Sequence, residues 1–130
     1  MSESTPFLEA VVEHGVLVLT VLRRQIEGEE IAAALKDELD EIIQHYQAKL
    51  VVLDLSRCRY VSSIAFWPLL SLRKRLAEKG GRLLITGLTG IVLEVFTNTK
   101  MVSSGGNTAA PFETAPDRAS AVARLAHPAL

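Results

Sequence analysis

The chain has 130 residues, which is enough for one domain with a buried core, and its apolar fraction of 48% argues against disorder of the whole chain. A net charge of −1 and a pI of about 6.3 provide no basic field, so nucleic acid is not expected as a partner. A single cysteine, Cys58, excludes a disulfide framework, and the lack of a leader or a long apolar run indicates a cytoplasmic protein without a membrane contact.

Two β-rich segments lie near the start of the sequence. Phe7 to Val12 alternates loosely, and Val16 to Leu22 consists almost entirely of valine and leucine. Glu13-His14-Gly15 separates them, and Gly15 can adopt a positive φ. The pattern predicts an antiparallel hairpin.

The next segment has the period of an amphipathic helix. Gly28 can serve as its N-cap, and Glu29 and Glu30 suit the positive end of the helix dipole. The apolar residues that share one stripe are Ile31, Leu35, Leu39, Ile42, Ile43 and Tyr46. We predict a helix that ends near Gln47 and covers a sheet with this stripe.

A strand and a second helix occupy the middle of the chain. The apolar run Leu50 to Leu53 predicts a strand buried on both faces, and Asp54 and Ser56 mark its exit. From Leu69 the apolar residues recur at helical spacing, until Gly80-Gly81 ends the helix.

The serine pair Ser62-Ser63 lies between this strand and this helix. A serine oxygen can cap the first helical turn, and the same helix start would also accept a phosphate, so both interpretations stay open. Pro68 lies too deep for the first helical position if Ser63 is the cap. We therefore predict a helix that begins late or is distorted.

The remaining sequence predicts shorter elements. They are a buried strand at Arg82 to Thr86, a short helix at Ile91 to Phe96, a mobile loop at Ser103 to Asn107, an edge strand at Ala110 to Thr114, and a last helix that opens with Pro116 as its first residue.

This order of elements predicts an α/β fold. A hairpin followed by β-α units gives a mixed sheet of four or five strands with helices packed mainly on one face. Functional residues of such folds collect where strands end and helices begin, which is the position of Ser62-Ser63.

The chemistry of the candidate residues does not favour an enzyme. Ser63 lacks the G-x-S-x-G context of a nucleophile elbow, and the three histidines lack metal-ligand spacing. Asp54 closes a strand, where a carboxylate more often organises a loop than acts as a base. We predict no catalytic residue, metal or cofactor, and keep a small hydrolase using Ser63 as a minor alternative.

The run from Val51 to Leu88 resembles the core of STAS domains, the fold of bacterial anti-sigma factor antagonists. Asp54-Leu55-Ser56, Ser63, Gly80-Gly81 and the strand Leu83 to Thr86 match that family's pattern in order and spacing. The resemblance covers about residues 7–126 and implies a single STAS-like domain over residues 1–130.

The resemblance implies a function in partner binding. In the family, an anti-sigma factor with kinase activity phosphorylates the serine at the position of Ser63. Here Ser62 stands where the family has an aspartate, and Ala65 stands where it has a glycine. The partner implied is an anti-sigma factor or a related serine-protein kinase. The alternative is a STAS protein that binds constitutively, as a scaffold or a transporter-associated subunit, without phosphorylation.

The predicted partner-binding residues surround the serine pair. Trp67 is either a core residue or a partner anchor, and Glu27 is the candidate for an acidic residue that the family carries before its first long helix. The full predicted set is Glu27, Ser62, Ser63, Phe66 and Trp67, with Asp54 as a structural residue nearby. Whether the protein forms a homodimer stays open.

Overall fold

The computed structural model describes residues 2–102 and 110–127. Its strands are β1 (Ser2–Ser4), β2 (Leu8–Glu13), β3 (Val16–Val21), β4 (Gln25–Ile26), β5 (Leu50–Asp54), β6 (Tyr60–Val61), β7 (Arg82–Thr86) and β8 (Glu113–Thr114). Its α-helices are α1 (Glu29–Tyr46), α2 (Phe66–Glu78), α3 (Gly90–Asn98) and α4 (Arg118–Ala126). The loop predicted at Ser103 to Asn107 lies outside the described residues.

The first two long strands form the predicted hairpin. β2 and β3 pair antiparallel, and Glu13 lies opposite Val16 at the turn. His14 and Gly15 both have positive φ, at 52° and 78°. Two such residues form the turn that matches the right-handed twist of a hairpin, which explains why glycine occurs here.

Six of the strands form one mixed sheet in the order β1-β2-β3-β5-β7-β8. β3, β5, β7 and β8 run parallel, and Thr20, Asp54 and Thr86 are in register across three of them. The carboxyl ends of these strands therefore meet at one edge. The α/β mixed sheet is confirmed, and β1 is an additional edge strand that the sequence pattern did not predict.

The sheet has a different helical layer on each face. Strand residues such as Leu19, Leu53 and Ile85 pack with α1, α2 and α3, whereas Val18 and Val52 pack with α4. Three of the four helices described thus share one face, as predicted. None of the helices in the described part of the chain is long and apolar enough to cross a membrane.

The start of α4 differs from the prediction. The N-cap is Asp117, whose Oδ1 accepts a hydrogen bond of 2.8 Å from the backbone N–H of Ser120, so Pro116 precedes the cap instead of opening the helix. This hydrogen bond holds the pKa of Asp117 below its ordinary value. An aspartate satisfies an orphan N–H of the first turn, which a proline cannot do.

Two very short strands form a separate parallel ribbon beside the main sheet. In this ribbon, β4 pairs with β6, with Gln25 opposite Tyr60 and Ile26 opposite Val61. β4 follows the hairpin and β6 precedes α2, so the ribbon links the loops before both long helices.

Candidate functional site

The backbone around the serine pair is fixed by the ribbon. The N–H of Ser62 donates to the carbonyl of Ile26 at 3.0 Å, and Ser62 is extended with φ −97° and ψ 166°. A 3-10 helix from Ser63 to Ala65 follows directly and leads into α2. Neither serine side chain caps a helix, so the serine-cap interpretation is wrong. Ser63 is exposed at the first position of the helical segment.

The late helix start predicted from Pro68 is confirmed. α2 begins at Phe66 after the 3-10 turn, and Pro68 is its third residue. N–H groups of the first helical turn have no partner inside the helix, so a proline there removes no hydrogen bond.

The structure brings Glu27 and Ser62 together. Both residues directly follow the paired residues Ile26 and Val61, and both lie at the same end of the ribbon. Glu27 is exposed and Ser62 is half-buried. An acidic side chain therefore flanks the serine pair, although the two positions are separated by 35 residues.

Phe66 and Trp67 have opposite environments. Phe66 is only 5% exposed and its ring contacts that of Phe96 edge-on, with centroids 4.9 Å apart. It supports the start of α2 from the core, which corrects its prediction as a contact residue. Trp67 is 47% exposed, so it is not a core residue. Ser63 and Trp67 are both exposed and lie four residues apart at the start of the helical segment.

Asp54 organises the loop beneath the site. Its Oδ1 accepts a hydrogen bond of 2.9 Å from the N–H of Ser56. Gly87 packs directly against this turn, where an added Cβ would lie 2.5 Å from both Oδ1 of Asp54 and the nitrogen of Ser56. The carboxylate therefore has a structural position, and Gly87 allows the two loops to approach closely.

A comparison with sequence profiles of known families matches residues 28–101 to the family described as "Mlab, STAS domain". This match spans more than half of the chain. The chain belongs to the STAS domain family. No curated protein matches the sequence closely enough to indicate a nearer relative.

Three solved structures have the same fold. An anti-sigma factor antagonist from Mycobacterium paratuberculosis is 17% identical with a TM-score of 0.75, over 95% of this chain and 98% of that one. A serine-to-glutamate variant of RsbS from Moorella thermoacetica is 17% identical with a TM-score of 0.67, over 91% and 93%. The anti-sigma factor antagonist SpoIIAA in its unphosphorylated form is 11% identical with a TM-score of 0.60, over 86% and 90%. Identities this low establish the fold of this STAS domain and nothing finer.

Two of the three histidines lie away from Ser63. His14 lies at the start of β3 and His45 lies near the end of α1, at the edge of the sheet opposite the serine pair. In residues 2–102 and 110–127, no three His, Cys, Asp or Glu side chains are grouped closely enough to hold a metal ion.

Cys58 is buried below the site. Its thiol donates a hydrogen bond to the carbonyl of Arg23 over 3.2 Å. Burial, together with the charge of Asp54, raises its pKa to about 11, so the thiol is neutral at pH 7 and unreactive. Its position is structural, because it joins the loop before β6 to the loop before β4.

Sequence reasoning missed one feature next to the serine pair. Arg23, Arg24 and Arg59, together with Leu22 and Gln25, line an open concavity of about 520 Å³, which we call the arginine concavity. Its arginines come from two loops more than 30 residues apart. Only the pairing of β4 with β6 reveals that they are neighbours.

Proposed function

We propose that this STAS domain, which spans about residues 7–126, is a non-enzymatic cytoplasmic regulator that binds an anti-sigma factor or a related serine-protein kinase. The observation that carries the proposal is the exposed Ser63 at the start of a helical segment, flanked by Glu27 and the half-exposed Trp67. A polar switch residue beside an exposed aromatic anchor is suited to a protein interface.

The position of Ser63 is compatible with a phosphate. No acidic residue lies in the first turn of the 3-10 helix or of α2. An N–H group of a first helical turn that has no internal partner can bind an anion. A phosphoserine carries about −1.5 to −2 charges at pH 7. The helix start would stabilise that charge by about 0.3–1 kcal/mol, so the free domain tolerates it. A partner surface fitted to a neutral serine would not.

The proposed switch is tested by phosphorylation and by mutation. The protein is incubated with ATP and the kinase encoded beside its gene, and the product is mapped by mass spectrometry. We expect the label at Ser63 and no label in Ser63→Ala. Ser63→Asp should weaken partner binding at least tenfold, or about 1.4 kcal/mol, without lowering the thermal stability of the domain.

A matched control separates the position from the charge. Ala119→Asp adds the same charge at an exposed position in the first turn of α4, on the other face of the sheet. It should leave partner binding unchanged. Full binding by Ser63→Asp, together with no label at Ser63, would show that the switch does not exist.

A second candidate function is favoured by Ser62. This residue offers a hydroxyl where a carboxylate would orient the neighbouring serine and meet the magnesium of a kinase. In that case the same surface binds its partner constitutively, as a scaffold or as a subunit of a transport ATPase. Partner capture that is equal with and without ATP, and equal for wild type and Ser63→Ala, would support this function over the switch.

A further inference from the structure

The arginine concavity lies at the opposite end of the ribbon from the serine pair. Arg24 and Arg59 precede β4 and β6, whereas Glu27 and Ser62 follow them. At about 3.3 Å per residue, three residues separate the two ends by roughly 10 Å. The concavity and the serine pair are thus close neighbours on one surface.

The loops that carry these arginines are held together by hydrogen bonds. The N–H groups of Arg59 and Tyr60 donate to the carbonyl of Arg24 at 2.7 and 3.2 Å, and the thiol of Cys58 donates to the carbonyl of Arg23. The guanidinium of Arg23 lies 5.1 Å from the centre of the Phe7 ring, which orients it. The concavity is therefore a preformed feature.

The arginines of the concavity are set apart by their grouping, since other exposed arginines such as Arg57 also form no ion pair within the described residues but do not line it. Arg75, Arg82 and Arg118 each form an ion pair with a carboxylate. Within residues 2–102 and 110–127, Arg23, Arg24 and Arg59 form no such pair. In a chain of net charge −1, three unpaired guanidinium groups around one concavity are a local concentration of positive charge.

A partner that binds at Ser63 would cover this concavity. A typical protein interface buries about 800 Å² on each side, which corresponds to a disc of roughly 16 Å radius. That radius exceeds the distance of roughly 10 Å between Ser62 and the arginines. A guanidinium group that a partner covers loses its bound water, and this costs free energy unless an anion replaces the water. The partner is therefore expected to supply anions there.

We propose that the arginine concavity binds an acidic segment of the partner protein. Arginine forks pair with carboxylates in two parallel hydrogen bonds, and exposed ion pairs contribute little individually, so a run of carboxylates fits better than one small anion. The concave shape does not fit the flat surface of a bilayer. The proposal rests on the proposed function, since it assigns the chemistry of a second part of the same surface.

The test uses the full chain and a labelled peptide rich in glutamate, with a glutamine version as its control. Binding is measured by fluorescence anisotropy. We expect Arg24→Glu and Arg59→Glu to weaken glutamate-peptide binding at least tenfold. Lys74→Glu makes the same charge change at an exposed position of α2 and should weaken it by less than about twofold. Circular dichroism verifies that each variant is folded. Arg24→Gln and Arg59→Gln should also weaken glutamate-peptide binding more than Lys74→Glu does, but by less than the glutamate variants.

Four results would overturn the proposal. The first two are no binding of the glutamate peptide, and an equal loss of peptide affinity in the Arg24 and Lys74 variants. The other two are displacement of the bound peptide by inorganic phosphate at matched charge, and arginine-dependent binding to vesicles of phosphatidylglycerol without peptide binding. The outcome is separable from that of the proposed function. If the peptide binds in an arginine-dependent way but no partner binds at Ser63, only the proposed function is contradicted. If a partner binds at Ser63 and the arginine variants bind it as well as wild type, only this inference is contradicted.

Discussion

Phe66 and Trp67 show how a helix start divides two adjacent aromatic residues between core and surface. Phe66 packs against Phe96, which is fully buried, whereas nearly half of the Trp67 side chain faces solvent. The direction of each side chain depends on where the 3-10 turn ends and α2 begins. Pro68 indicates a late or distorted helix start, but the sequence does not determine which side of α2 faces the core.

This division predicts different effects of two alanine substitutions. Trp67→Ala should lower the free energy of unfolding by about 1 kcal/mol, since about half of its side chain is already exposed, and weaken partner binding at least tenfold. Phe66→Ala should cost about 3–5 kcal/mol of stability, because it leaves a cavity next to Phe96. Urea unfolding measures the stability of both variants, and titration calorimetry with the captured partner measures partner binding. Strong destabilisation by Trp67→Ala would contradict its surface position.

Gly80 and Gly81, which follow α2, are required for two different reasons. Gly80 has φ 75°, and its N–H and that of Gly81 donate to the carbonyls of Ala77 and Leu76, which is the hydrogen-bond pattern of a Schellman motif. Gly81 has an ordinary φ, but an added Cβ would overlap the carbonyl of Lys49. The sequence predicts the helix end and not the contact with Lys49.

We therefore expect Gly81→Ala to be more destabilising than Gly80→Ala. The first must move the backbone of Lys49, which pairs with Arg82, at a cost of about 1–3 kcal/mol. The second meets open space and costs only the left-handed backbone strain, about 1 kcal/mol. Urea unfolding of both variants is the measurement. A reversed order would mean that the strand after Gly81 relaxes freely.

At the level of elements, long periodic segments are predictable and short ones are not. The hairpin, α1, β5, α2 and β7 follow from apolar period, glycines and caps. β4 and β6 have two residues each, too few for any period, although they unite Glu27 with Ser62 and Arg24 with Arg59. The family resemblance alone placed Glu27 in the predicted set with Ser62, and nothing in the sequence indicated that Arg24 and Arg59 are neighbours.

The contact between α1 and α2 includes an ion pair that should depend on pH. Asp40 receives hydrogen bonds from Lys36 and Arg75, both at 2.8 Å. Burial alone raises its pKa, but these two partners outweigh burial and hold the pKa below the ordinary value. A carboxylate whose pKa is lowered by folding stabilises the fold above its unfolded pKa, and this contribution is lost as the pH falls through the folded pKa.

Asp40→Asn should therefore be destabilising at neutral pH, by at most about 1 kcal/mol since all three groups are partly exposed. The difference from wild type should shrink as the pH falls below the ordinary pKa of an aspartate. Asp37→Asn changes the same charge at an exposed position of the same helix and should have no effect. Unfolding by urea over a pH series measures both variants. A difference that persists in acid would assign the effect of Asp40 to packing.

At the scale of the whole molecule, a short strand forms each edge of the main sheet. Among the described strands, β1 pairs with β2 alone, and β8 is fixed to β7 by the two hydrogen bonds between Arg82 and Glu113, at 3.0 and 2.5 Å. The N-terminal segment is also tied to α1, because Glu38 accepts hydrogen bonds from Thr5 and from the N–H of Phe7. The Ser-Glu-Ser sequence of β1 has no apolar alternation, so only the structure reveals this edge.

Removal of β1 should leave β2 as an edge strand that can pair with a second copy of the chain. Deletion of residues 1–4 exposes the hydrogen-bonding groups of β2, whose Val12 is already 51% exposed, and an open apolar edge pairs readily with a second copy. We expect the shortened chain to show a concentration-dependent increase in mass by analytical ultracentrifugation. Adding Val12→Lys should reverse the increase, because a lysine on an edge strand opposes pairing. If the shortened chain keeps the mass of the full-length protein at every concentration, β1 does not protect this edge.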